Sequence, residues 1–215
     1  MLPLTLNNKL KYPIIIFHDS LLPRYRGFAP TPTAIIAGDD AVGVTMLFAS
    51  DEVDSGEIIW QKKIPISSND YIQTVIDKQA KAYVEGFFVL IENIENENLI
   101  STPQDDGLVT YSIWRTNEDC SIDWNKSSTE IYNLIRAVGT PYQGAYTQYK
   151  NKKITVIRSE IVHDIPFVIR DCGKIWRIEE NCPYVICGRG ILKITEATDA
   201  VGNLVKFDRV RIRLV

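Results

Sequence analysis

Residues 12–18, YPIIIFH, form a short run of β-branched and aromatic residues ending on a histidine. An unbroken apolar run of this length reads as a buried strand of a parallel sheet. Residues 19–27, DSLLPRYRG, hold Pro23 and Gly27 and read as a loop. A short helix is expected over residues 30–37, stopped at Gly38. Residues 43–49, GVTMLFA, predict a second strand, residues 50–56 a loop dense in carboxylates, and residues 57–64 a third strand.

Residues 70–94 place Ile72, Val75, Ile76, Ala80, Tyr83, Val84, Phe87, Phe88 and Ile91 at helical spacing, with Asn69 or Asp70 as the cap. Residues 92–107 then turn polar and lose periodicity, which divides the chain into regions 1–103 and 104–215. A second helix is marked by a Ser127/Glu130 capping box. Ile131, Leu134, Ile135 and Val138 line its face, and Gly139 with Pro141 ends it. From residue 146 onward come short runs (ITVIRSEIV, PFVIR, IWRI, YVICG, ILKITEA and VRIRLV) that suggest a small barrel or sandwich.

Composition narrows the function classes. The chain has 215 residues, 45% hydrophobic and 24% charged, which suits a globular protein with a sizeable core. Net charge is −3, with 8 Lys+Arg against 13 Asp+Glu in residues 1–103 and 16 against 14 in residues 104–215. The small basic surplus of the second region suits an anionic ligand but falls short of the stripe of a nucleic-acid binder. Cys120, Cys172, Cys182 and Cys187 form no C-x-x-C pair and only His18 and His163 accompany them, so reduced thiols and no metal site are expected. Residues 1–12 are polar and mixed, and residues 14–17 are far too brief to span a bilayer, so a cytoplasmic protein with no membrane partner is expected.

The candidate chemistry rests on His18, at the end of the first strand, and Asp54, in the loop after the second. In open α/β sheets ligands bind beyond the carboxyl ends of the strands, so neighbouring strands would bring the two to one crevice. A histidine moves protons near neutral pH and a carboxylate can orient it, a pairing that suits attack of an amine on an acyl group. Taken alone the two residues fit a bland reading more often: a hydrogen-bonded structural histidine and a solvated or turn-capping aspartate.

The surrounding sequence shifts that balance. His18, Ser20 to Pro23, Arg26 with Gly27, Gly43 to Thr45, and Asp54 with Gly56 follow in the order and spacing that mark the formyltransferase family, which the stretch resembles over about fifty residues. Residues 131–149, with Ile135-Arg136-Ala137 and Gly144-Ala145, resemble the segment that joins the two domains of its tRNA and sugar members. The resemblance implies an α/β fold, a partial Rossmann-like formyltransferase domain followed by a small OB-like β-barrel domain. It implies 10-formyltetrahydrofolate as co-substrate with no metal, and a small primary amine as acceptor, foremost that of a nucleotide sugar. Methionyl-tRNA is the alternative acceptor, and a non-catalytic remnant or interaction module the reading of another class. His18 and Asp54 then match the catalytic pair, and Ser50, Asp51 and Val53 the backbone that contacts the pterin ring.

Arg24 and Arg26 read equally as substrate contacts or as loop arginines, Gly27 as a residue the loop geometry needs, and the four tryptophans as packing residues. Two departures stand out. Ile16 occupies the place of an Asn that many members use to polarise the formyl oxygen, and only seventeen residues precede His18, where the family carries the first βαβ units of its sheet. That short front end is equally expected from a misplaced start, a gene fragment, or a chain that pairs with another, as a homodimer or with a missing complementary chain.

Overall fold

The computed structural model describes residue 10 and residues 13–215. The chain divides into two compact units. The first comprises Met1–Ala34, Asp39–Asp70 and Thr74–Trp114; the second comprises Ile35–Gly38, Tyr71–Gln73 and Arg115–Val215. Residues 104–114 thus lie with the first unit.

The first unit is built on a three-stranded sheet of order β1-β3-β4, formed by β1 (Ile15–His18), β3 (Ala41–Phe48) and β4 (Ile58–Pro65). Tyr12, the expected start of the first strand, lies outside the described residues. β3 is buried along nearly its whole length because it has a neighbour on each side, whereas β1 is only half-buried. Both pairings are antiparallel. The expectation of a buried parallel strand over residues 12–18 is therefore corrected: a turn of residues 49–57 folds β4 back on β3, and β1 meets β3 head to tail, so among the described residues no parallel pair forms in this sheet.

Between β1 and β3 the chain makes β2 (Arg26–Gly27) and the helix α1 (Pro30–Ala37). The helix has the predicted bounds, and Gly38 ends it with φ +82°, a conformation glycine adopts without a Cβ clash. A longer helix, α2 (Ile72–Glu95), begins just beyond the expected cap; the Asp70 carboxylate accepts the Ser67 backbone N–H and pairs with Lys78. Val75, Gln79, Ala82 and Gly86 are on its buried face. At 100° per residue, Val84, Phe87, Phe88 and Ile91 make a second apolar stripe on the opposite face, where Phe88 is 65% exposed. A two-residue strand β5 (Tyr111–Ser112) pairs in parallel with β2 and closes the unit.

The second unit opens with α3 (Ser128–Val138), whose capping box of Ser127 and Glu130 forms as predicted. Five antiparallel strands follow: β6 (Ala145–Tyr149), β7 (Lys152–Val162), β8 (Ile175–Glu179), β9 (Cys182–Ile186) and β10 (Ile191–Thr198). Their order, β6-β7-β10-β9-β8, is that of an open sheet, not a ring of paired strands. Its two edges are joined by the last residues instead. Ile175 N donates to Ile212 O at 2.9 Å and Leu214 N to Gly173 O at 2.8 Å on one side, while Gln148 N donates to Val215 O at 2.8 Å on the other. Residues 210–215, expected as a strand, serve as this strap.

Residues 166–170, also expected as a strand, are a loop. Apolar β-formers make a strand only where a neighbour accepts their ladder; here Val168 and Ile169 face solvent and Arg170 anchors the loop to Cys187 O and Gly190 O. Burial pushes the Cys187 thiol up to about 12.

Candidate active site

The loop between β1 and α1 is fixed from below by buried polar groups. Thr45, fully buried on β3, donates to Ser20 O at 2.6 Å and accepts from Leu22 N and from Gln61 Nε2. Gln79 of α2 donates to Gly43 O and Asp19 O, and Tyr83 donates to the Asp19 carboxylate. Burial, then that carboxylate, raises the Tyr83 pKa well above its ordinary value. His18 is thus set on a strand end whose next residue is gripped by α2.

His18 is 8% exposed. Its Nε2 donates to Tyr25 O at 2.8 Å, and its Nδ1 lies 3.5 Å from Asp54 Oδ2. That same carboxylate oxygen accepts the Gly27 backbone N–H at 2.8 Å. The two candidate residues do meet, but not for the reason the open-sheet rule supplies. His18 pairs across the sheet with Thr45, whereas β3 runs on to Phe48 opposite Ile15, so the carboxyl ends of these strands point in opposite directions. The turn of residues 49–57 carries Asp54 back over the ground β3 has covered. Asp54 sits at φ +53°, a left-handed conformation that Asp tolerates better than most residues.

Both nitrogens of His18 therefore face oxygens that accept: a carbonyl at Nε2 and a carboxylate at Nδ1. The Nδ1 contact is long for a hydrogen bond yet short enough for the carboxylate charge to act on the ring. Nε2 must turn away from Tyr25 O to serve an incoming group, and the loop of residues 19–27 carries that carbonyl.

Gln104 went unrecognised in the sequence. Its Nε2 donates to Asp54 O and Gly56 O, each at 2.8 Å, while its Oε1 accepts from Arg26 Nε at 3.1 Å and Nη2 at 2.9 Å. One amide thus clips the Asp54 turn to the loop after His18. Nothing local marks it, since it stands in the polar, aperiodic stretch and its partners lie about fifty and eighty residues away. Arg26 itself is 4% exposed, with Asp106 as a further partner at 3.5 Å. Arg24 is half-exposed, bonds Asp39 at 2.9 Å and lies over the Tyr25 ring.

Gly27 earns its place in the loop. It holds φ +104°, and a Cβ there would stand 2.5 Å from Ser112 O. Ser50 turns its hydroxyl inward to Glu52 O and Ser55 Oγ, so the acidic turn is braced by its own serines, with Asp51 and Val53 at the surface. Ile16 lies on β1 two residues before His18 and supplies no side-chain donor. Of the tryptophans, Trp124 is a buried core residue but Trp114 is 69% exposed, against the expectation that all four pack. Among the described residues no group of His, Cys, Asp and Glu is placed to hold a metal ion, and no helix is long and apolar enough to cross a membrane.

Residues 1–91 match the family model described as formyl transferase, and residues 115–209 that of the formyl transferase C-terminal domain. The chain is similar to the methionyl-tRNA formyltransferase of Halalkalibacterium halodurans, 34% identical over 202 residues, which are 90% of this chain and 62% of that protein. It spans 52 to 62% of the length of the curated relatives it matches. Among solved structures, a 4-N formyltransferase from Francisella tularensis is 27% identical with a TM-score of 0.57, over 68% of this chain and 60% of that one. The fold is also shared, at a TM-score of 0.65 and 23% identity over 87% of this chain and 68% of the other, with an N-formyltransferase from Helicobacter canadensis solved with folinic acid and dTDP-3-aminofucose.

Proposed function

Because the chain belongs to the formyl transferase family, we propose that it transfers a formyl group from 10-formyltetrahydrofolate to a primary amine, foremost the amine of a nucleotide-linked amino sugar. The observation that carries this reading is the Asp54 carboxylate set 3.5 Å from Nδ1 of a nearly buried His18. The amine nitrogen attacks the formyl carbon, forming the new C–N bond and a tetrahedral oxyanion. Collapse breaks the bond to N10 of the folate, which takes up a proton as tetrahydrofolate leaves. His18 moves the amine proton, and Asp54 offsets the charge that develops on the ring. Ile16 supplies no side-chain donor, so stabilising the oxyanion is assigned to His18 as well.

Ser50, Asp51 and Val53 are assigned to the pterin ring, their turn being braced from within. Arg24, half-exposed, is assigned to the acceptor; Arg26, buried on Gln104, is assigned to holding the loop. A cytoplasmic setting goes with this chemistry, and four unbridged thiols suit one.

Methionyl-tRNA is the second reading, favoured by the curated relatives. The two separate by acceptor: tetrahydrofolate release with amino-sugar nucleotides supports the first, and release only with charged tRNA, falling steeply with salt, supports the second. Calorimetric titration with 5-formyltetrahydrofolate precedes both. Saturable binding near one site per chain is the expected result; absence of binding by folded protein would leave the non-catalytic reading.

A further inference from the structure

Phe28 and Trp114 stand edge to face, their ring centroids 6.0 Å apart and their planes at 79°. Such contacts ordinarily lie inside a core, because each ring has a large apolar surface to remove from water. Here both rings stay in solvent, Phe28 at 58% and Trp114 at 69% exposure, and Ile113 between them and the strand is exposed as well. Among the described residues no hydrogen bond holds the indole N–H of Trp114.

The pair hangs from the same backbone that holds the candidate catalytic residues. Phe28 follows Gly27, whose N–H binds Asp54, and Phe28 N donates to Ser112 O at 3.0 Å. The Ser112 hydroxyl donates at 3.3 Å to Tyr25 O, the carbonyl that also receives His18 Nε2. Trp114 lies two residues beyond, a step of about 7 Å along an extended chain. The rings are therefore pre-set beside the loop that must present the acceptor to His18.

We propose that Phe28 and Trp114 form a stacking platform for the base of a nucleotide-linked acceptor. A planar heteroaromatic ring covers an indole face with little loss of freedom, since the two side chains carry only two rotatable bonds each and already hold each other. An unbound indole N–H is free to meet a base carbonyl. The inference rests on the reading of the acceptor as nucleotide-linked, and it adds the part of the site that would recognise the base.

The test is calorimetric titration of the whole chain with dTDP, UDP and 5-formyltetrahydrofolate, for the wild type, Trp114→Ala, Trp114→Phe and Phe28→Ala. The alanine variants should weaken nucleotide binding by about fivefold to a hundredfold, leave 5-formyltetrahydrofolate binding unchanged, and be largely rescued in Trp114→Phe. Both positions are exposed, so the variants should melt like the wild type. Loss confined to 5-formyltetrahydrofolate would overturn the proposal by giving the rings to the pterin. Nucleotide affinity unmoved by the substitutions, or no nucleotide binding by the wild type, would overturn it as well. Folate binding without nucleotide binding would leave the formyl-transfer reading standing, whereas Trp114-dependent nucleotide binding without folate binding would keep the platform and sink that reading.

Discussion

Asp54 Oδ2 lies 3.5 Å from His18 Nδ1 and at the same time accepts the Gly27 N–H at 2.8 Å. One oxygen thus faces both the histidine ring and the loop, and substitutions can separate the two contacts. Asn in place of Asp keeps an acceptor for Gly27 and tolerates the positive φ, but removes the charge beside the ring. On the proposed mechanism Asp54→Asn should lower kcat by roughly a hundredfold or more while leaving the melting temperature and the 5-formyltetrahydrofolate affinity near wild type. Equal turnover of the two proteins would take Asp54 out of the chemistry.

Gln104 joins the Asp54 turn to Arg26 through one amide. Gln104→Ala leaves a buried guanidinium and two carbonyls short of a partner, which should cost about 1–3 kcal/mol. Urea unfolding followed by fluorescence reads the loss. Activity should fall further than stability, because the turn that positions Asp54 is released. An unchanged midpoint would show that water replaces the amide at no cost.

Tyr83 makes unfolding pH-dependent on the alkaline side. Burial and the bond to Asp19 hold its proton more tightly in the folded chain than in the unfolded one, where it titrates near 10. Below that pH both states keep the proton and the contribution to stability is complete. As pH rises above it the unfolded chain binds fewer protons, so stability declines until the folded phenol ionises too. Tyr83→Phe should lose about 1 kcal/mol at neutral pH and show a shallower decline between pH 9 and 11; parallel curves for the two proteins would refute the assignment.

The strap formed by the last residues predicts a sensitive carboxyl terminus. Leu214 is 1% exposed; its own N–H donates to Gly173 O on one side of the sheet, and the carbonyl of the next residue, Val215, accepts from Gln148 N on the other. Leu214→Ala should destabilise the second unit by about 2–5 kcal/mol. Hydrogen exchange should quicken at both β6 and β8, which do not touch in the strand order. Exchange confined to one edge would mean that the strap does not couple them.

Phe88 makes the opposite test. At 65% exposure it adds little to the folded chain, so Phe88→Ser should shift the melting temperature by no more than about 2 °C. Light scattering at high concentration should drop, because the second apolar stripe of α2 loses its most exposed ring. A large fall in melting temperature would place Phe88 in a core contact.

Local pattern by itself determined the helices, most of the strands and the capping box at Ser127, because periodicity reports which face is buried and a cap involves residues three apart. It also singled out His18 and Asp54 and gave Gly27 a role in its loop. Tertiary structure alone decided how they come together. A run of apolar residues carries no mark of strand direction, so β1 reads the same parallel or antiparallel, and the return of Asp54 over β3 depends on where the turn of residues 49–57 lands. Burial of Arg26 was equally invisible, because it rests on Gln104, 78 residues away. Residues 166–170 have the composition of a strand and residues 210–215 do too, yet the first find no neighbour and the second find two edges. Hydrogen-bond partners across such separations are chosen by the folded backbone, whose groups must all be satisfied at once, and no short window of sequence contains that condition.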